Sequence, residues 1–260
     1  MTSHFAPIPV DPWEPLRANT QARIGLGRVG MSLPTAAVLE LQASLAAARD
    51  AVHVPWDAAS LRDGLAALGI GEPIELTSRA ADRSIYLRRP DLGRLPESVA
   101  ELHNGGWDVG FVVADGLSSK AVSDHAVAMV AALVAALPPE LSMAPPVLVS
   151  QARVAIGDWI GQAMGVGTML VLIGERPGLS VADSLGIYLT HAPRPGRSDA
   201  ERNYISNIHP PEGLGYAAAA AVAVSLVLGA RALGRSGVDL KNTTGTLPAE
   251  LDEAPDQSGG

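Results

Sequence analysis

The chain has 260 residues, 47% of them hydrophobic and 18% charged, enough for one large domain or a main domain with a smaller attachment. A net charge of −8 argues against a nucleic-acid surface, and the absence of cysteine excludes a disulfide framework and a thiolate metal site. Aromatic residues make up only 4%, so Ala, Val and Leu must fill the core.

Met1 to Thr20 carries Pro7, Pro9, Pro12 and Pro15 with Asp11 and Glu14, and reads as an extended arm rather than a secretory signal. A cytoplasmic location is therefore expected. Arg23 to Gly30 contains Gly25, Gly27 and Gly30 in a relaxed G-x-G-x-x-G. A dinucleotide fingerprint needs a strand before it, and the preceding Arg17 to Arg23 is polar, so a glycine-rich turn is the better reading. Pro34 to Asp50 places Val38, Leu41, Leu45 and Ala48 near helical spacing, and Asp57 can cap a second helix through about Leu68. Residues 1–75 thus read as an N-terminal arm and small helical part.

From Ile74 the pattern changes to strands alternating with helices. Ser84 to Leu87 reads as a short strand, Glu97 to Asn104 as a weak helix, and Val109 to Ala114 as a buried strand. Ala121 to Leu137 is a helix stopped by Pro138 and Pro139. Val147 to Ser150 with Arg153 to Ile156 reads as a bent strand or hairpin, and Asp158 to Met164 as a short helix. Met169 to Ile173 and Ile187 to Thr190 are further strands, and Gly213 to Leu233 is a long Ala-rich helix. Gly213 to Ala230 is uncharged for 18 residues, but its alanines, flanking glycines and Ser225 fit a core helix better than a membrane span. The expected fold is α/β, a Rossmann-like sheet with helices on both faces, over residues 76–246. Residues 247–260 form an acidic, Gly-ended tail expected to be disordered.

Ligands of open α/β sheets sit beyond the carboxyl ends of the strands. Two such ends are polar here: Asp115-Gly116-Leu117-Ser118 and Gly174-Glu175-Arg176-Pro177-Gly178. Asp115 reads equally as a helix cap or a ligand contact. Glu175 is favoured as a ligand contact over a simple pairing with Arg176, and Arg88 and Arg89 as a solvated turn. The six histidines form no i,i+3 or i,i+4 pair, so no metal site is expected, and His125 reads as a packed helix residue. No P-loop and no G-x-S-x-G elbow occurs.

These two loops, with Ile205-Ser206-Asn207-Ile208-His209, Tyr86-Leu87-Arg88-Arg89-Pro90-Asp91-Leu92-Gly93-Arg94 and Thr20 to Gly30, resemble the small (light) subunit of ethanolamine ammonia-lyase, in order from about residue 13 to about 245. The resemblance implies an adenosylcobalamin-dependent enzyme that converts ethanolamine to acetaldehyde and ammonia by a radical rearrangement. The reacting centre would lie in the (β/α) barrel of a large subunit. The small subunit would cover the cobalamin from its nucleotide side, in a hetero-oligomer with no nucleic acid or membrane partner. It therefore implies no catalytic residue in this chain. The implied cofactor contacts are Val154, Glu175 and Tyr204, which makes 76–246 a cobalamin-binding domain. Family members often carry Cys where Tyr204 stands, and a backbone contact survives that difference. Cobalamin proteins that displace the lower base use an Asp-x-His-x-x-Gly pattern, absent here, so base-on cobalamin is expected. The alternatives are a structural subunit with a degenerate pocket and a dinucleotide-dependent α/β enzyme built on Gly25 to Gly30.

Overall fold

The computed structural model describes residues 11–241. Ahead of the sheet come α1 (Glu14–Arg17), α2 (Thr35–His53) and α3 (Ala58–Ala66). Asp57 accepts the amide proton of Ser60 at 3.1 Å and caps α3, as its position before an apolar run predicts. The remaining elements are β1 (Ile74–Thr77), α4 (Arg83–Arg88), β2 (Val109–Ala114), α5 (Ser119–Ala136), β3 (Val147–Ser150), α6 (Ile156–Met164), β4 (Thr168–Gly174), β5 (Leu185–His191), β6 (Asn203–Ile208) and α7 (Tyr216–Leu233).

All six strands form one mixed sheet in the order β1-β3-β2-β4-β5-β6. The first four are mutually parallel, with α5 and α6 as the crossovers, whereas β5 and β6 pair antiparallel. The fold is thus mixed α/β, not a wholly parallel sheet. The cause is the link from β4 to β5: residues 175–184 contain no helix, so the chain turns straight back. Every residue of β2 and β4 is buried, as central strands covered on both faces require. Phe111, Val113, Leu148, Leu170 and Leu172 meet α3, α5 and α7 on one face, while Val112, Ala114, Val149, Met169 and Val171 meet α6 on the other. Each such large side chain contributes on the order of 1.5–3 kcal/mol by leaving water. Two described helices, α5 and α7, are long and apolar enough to cross a membrane, and both bury residues in the core beneath them.

Several expectations are corrected. Ser84 to Leu87 lies in helix α4, because Asp82 accepts the amide of Ile85 at 2.8 Å and starts a turn that overrides the short apolar run. Glu97 to Asn104 is not helical; the Glu97 amide instead donates to Thr77 O at 2.9 Å and lines the segment along β1. Arg153 to Ile156 is a turn into α6 and not a strand. Part of the expected N-terminal arm is helical, in α1, and among the described residues no strand precedes Gly25, whose neighbourhood is a turn closed by pairing of Val29 with Ser32. Strand β1 spans the expected 75/76 boundary and belongs to the same sheet. The acidic tail and Met1 to Val10 lie outside the described residues.

The start of β6 is held to α6 by a buried ion pair. Arg202 donates to both oxygens of Asp158, at 2.8 and 2.6 Å, with each side chain 2% exposed, and Nη1 also reaches Thr190 Oγ1 at 2.7 Å. Asp158→Asn removes the buried counter-charge and leaves that guanidinium only the exposed Asp199, 3.6 Å from its Nε. The expected result is a lower thermal unfolding midpoint, equivalent to about 3–5 kcal/mol. An unchanged midpoint would show that the pair adds nothing.

Candidate functional site

The two polar loops chosen from the sequence are knit together at the carboxyl ends of β2 and β4. The Leu117 amide donates to Gly174 O at 3.0 Å. Gly116 has φ +59°, and a Cβ there would lie 2.3 Å from Gly174 O, so only glycine permits the approach. Asp115, 3% exposed, is not the helix cap. Ser118 caps α5 instead, through Ala121 N at 3.2 Å. The Asp115 carboxylate accepts the amides of Gln151 at 2.9 Å and Ala152 at 3.0 Å, plus Arg83 Nη1 at 3.3 Å. Burial pushes its carboxyl above the usual range, while these donors pull the other way. Its work is to hold the turn after β3, where Gln151 sits at φ 54°.

That turn carries Arg153 and Val154. Behind it stands Tyr86, fully buried, donating to Ala152 O at 3.1 Å. The guanidiniums of Arg153 and Arg83 lie over the Tyr86 ring at 4.2 and 4.7 Å. Gly93 O accepts the Arg153 amide at 2.8 Å. The Tyr86 to Arg94 segment therefore braces the turn from behind, and its Arg88 and Arg89 are exposed, as a solvated turn predicts.

Glu175 follows β4 and reaches across β5 to β6. Its Oε1 accepts Tyr204 Oη at 2.5 Å and the Asn207 amide at 3.1 Å, and its Oε2 accepts Ser184 Oγ at 2.5 Å. It does not pair with Arg176. Gly186 lies beneath, and a Cβ there would sit 2.8 Å from Tyr204 Cε2 and 3.0 Å from Glu175 Oε1. A side chain at 186 would push the two apart. Tyr204 also stacks on Tyr188, centroids 4.2 Å apart. Burial, and then the adjacent Glu175 carboxylate, raise the Tyr204 phenol above its ordinary pKa.

Val154, Glu175 and Tyr204, distant in sequence, line one cavity of about 290 Å³ with Tyr86, Leu117, Arg153, Arg176 and Tyr188. Val154 is half-buried and supplies apolar wall, and Glu175 supplies acceptors. Sequence reasoning missed Tyr86, Arg153, Ser184, Gly186 and Tyr188, whose roles depend on pairing across the sheet and leave no local spacing. Elsewhere, Asp124, His125 and Asp183 place one potential metal-ligand atom each within 4.8 Å of one another. Lys120 already bonds both carboxylates, and His125 Nδ1 is held by Tyr216 Oη at 2.8 Å, joining α5 to α7.

Replacing Glu175 by Gln removes the charge that disfavours tyrosinate at 204 while keeping the side chain's size. A spectrophotometric titration is expected to show phenol ionisation at lower pH than in the parent, and that difference is to shrink in a Tyr204→Phe background to the smaller effect of the same carboxylate on Tyr188. A titration identical to the parent's would mean that the carboxylate does not govern Tyr204.

Residues 10–241 match the family model described as ethanolamine ammonia-lyase light chain. The chain is similar to the ethanolamine ammonia-lyase small subunit of Rhodococcus erythropolis, 59% identical over 94% of this chain and 95% of that one. It is 50% identical to the small subunit of Azotobacter vinelandii over 92% of each chain, and 50% identical to that of Ralstonia nicotianae over 91% of this chain and 90% of that one. These matches span nearly the whole sequence and the site just described: the chain belongs to the ethanolamine ammonia-lyase small-subunit family, a component of a lyase complex.

Proposed function

We propose that this chain is the subunit that buries and orients adenosylcobalamin against a large catalytic subunit in the conversion of ethanolamine to acetaldehyde and ammonia. The observation that carries the reading is the convergence of Val154, Glu175 and Tyr204 on one cavity at the strand ends. When bound, adenosylcobalamin supplies the radical that starts the elimination. A corrin with its nucleotide tail is too large for about 290 Å³, so this chain takes one part of the ligand and leaves the rest to its partner.

The residues present fit such a half-site. Glu175 is locked in one orientation by three donors; two of them occupy Oε1, and Oε2, with one, keeps acceptor capacity for an amide or hydroxyl. Val154 offers apolar contact to a ring, and Ser206 and Asn207 stand exposed on β6 beside Glu175. Among the described residues no histidine borders the cavity, in keeping with the base-on form. Substrate binding and radical handling belong to the large subunit in this reading, and the expected location remains cytoplasmic.

A structural subunit with a closed pocket is the second reading, favoured by one contact: the Tyr204 hydroxyl already occupies Glu175. An absorption titration with adenosylcobalamin separates the two. We expect binding by the co-expressed two-subunit complex and none by this chain alone, with ethanolamine-dependent release of acetaldehyde. Glu175→Ala should weaken binding by about 10- to 100-fold, the range for hydrogen bonds to a charged group. Unchanged affinity in an assembled Glu175→Ala complex would favour the structural subunit.

The partner reading draws on the exposed N-terminal surface. Trp13, Leu16, Val29, Met31, Leu33, Leu39 and Leu45 are 42–94% exposed. So many large apolar groups in one part of a chain mark an interaction surface. Produced alone, the chain is expected to aggregate, and co-expression with the large subunit to keep it in solution. A monodisperse isolated chain at high concentration would count against obligate pairing.

A further inference from the structure

Two guanidiniums line the candidate cavity without a carboxylate to answer them. Among the described residues, neither Arg153 nor Arg176 forms an ion pair, although both border the cavity. The carboxylates nearby are spoken for. Glu175 is bonded to Tyr204, Asn207 and Ser184, and Asp115 to Arg83 and the amides of Gln151 and Ala152.

Arg153 is held in place rather than free to seek solvent. Its guanidinium carbon stands 4.2 Å from the Tyr86 ring centroid, its backbone amide is fixed by Gly93 O, and Gly93 itself packs against its Cγ. A Cβ on Gly93 would stand 3.0 Å from that atom. Tyr86 is pinned in turn by Ala152 O and the second guanidinium, Arg83. Of five donors, Arg153 uses one weakly, Nη2 to Tyr86 O at 3.5 Å, and its buried Nε has no acceptor. Leaving a buried charged donor unsatisfied is costly, yet the stacking partner and the turn hold it there. A planar fork held this way suits a bidentate oxyanion, and Arg176, exposed and bordering the same cavity, adds a second positive charge.

We propose that Arg153 and Arg176 form an anion subsite for a phosphodiester, with Arg153 as the preorganised fork and Arg176 as the closing charge. The assignment rests on the cofactor reading above, in which this chain covers the nucleotide side, and it adds the residues that would answer the charge of that side. The amides around a corrin ring are neutral, and the anionic group of cobalamin is the phosphodiester joining the ring to its nucleotide. An unanswered pair of guanidiniums thus selects the tail, and the neutral fringe falls to Glu175 and its neighbours.

The test uses the two-subunit complex and three corrinoids, read by absorbance: cobalamin, cobinamide phosphate, and cobinamide, which lacks both phosphate and nucleotide. In the parent complex cobinamide phosphate should bind more tightly than cobinamide. Arg153→Gln should weaken cobalamin and cobinamide phosphate by about 10- to 100-fold and leave cobinamide unchanged. Arg153→Lys should recover part of the loss, since it restores charge without the fork. Arg176→Gln, at an exposed position where misfolding is no concern, should give a smaller loss of the same pattern. Equal weakening of all three ligands, or no gain from the phosphate in the parent complex, overturns the subsite. So does dissociation of the subunits by Arg153→Gln in sedimentation, which would assign the guanidinium to a partner carboxylate. Failure of the parent complex to bind any of the three overturns the cofactor reading itself, and this assignment with it.

Discussion

The site depends on one buried carboxylate that never faces the cavity. Asp115 closes β2 and accepts the two amides that open the turn after β3, with Arg83 as its counter-charge. Arg83 also donates to Gly116 O and to Val52 O near the end of α2, both at 2.7 Å. One ion pair therefore ties the second and third strands, α4 and the N-terminal helices to a common point. With that point in place, Ala152 can take the Tyr86 hydroxyl, and Tyr86 can take the Arg153 guanidinium on its face. Val154 and Arg153 then border the cavity from a backbone that would otherwise run on into α6. A hydrogen-bonded buried charge is costly to disturb, which is why it can serve as a fixed reference for the groups around it.

A second constraint operates on the opposite wall. Glu175 needs an orientation, and three donors from β6 and the 175–184 link supply it. The geometry works because β5 presents glycine at 186, so that Tyr204 and Glu175 meet over a strand with no side chain between them. The antiparallel turn from β4 into β5 thus sets this contact. A crossover helix would have carried the chain away, whereas a direct return places β5 and β6 beside the end of β4. Preorganised acceptors of this kind recognise a ligand without reorganising when it arrives.

The parts of the fold legible beforehand were those written in local patterns. The continuous apolar runs of Val109 to Ala114 and Met169 to Ile173, the Asp57 cap and the long α2, α5 and α7 helices follow from burial on two faces and from capping chemistry. Ser84 to Leu87 and Glu97 to Asn104 were misread because a few residues of apolar or weakly helical character are decided by their neighbours. Asp82 started a helix in the first, and the edge of β1 claimed the second as an extended segment. Asp115 reads as a cap or a ligand contact, but its partners come from a turn 36 residues later, beyond any reading of local spacing.

The sequence by itself determined an acidic, cysteine-free α/β chain with polar loops at the ends of two buried strands, and its five ordered motifs identified the family. It also placed Glu175 at a strand end, because a carboxylate between glycines after a buried run is a local signal. Tertiary structure alone decided that Val154 and Tyr204 share a cavity with Glu175, that Tyr86 holds Arg153 in place, and that Gly186 makes room for the Tyr204 contact. The physical reason is that these relations are set by strand order and register. Periodicity reports which face of an element is buried, but not which strand lies beside it.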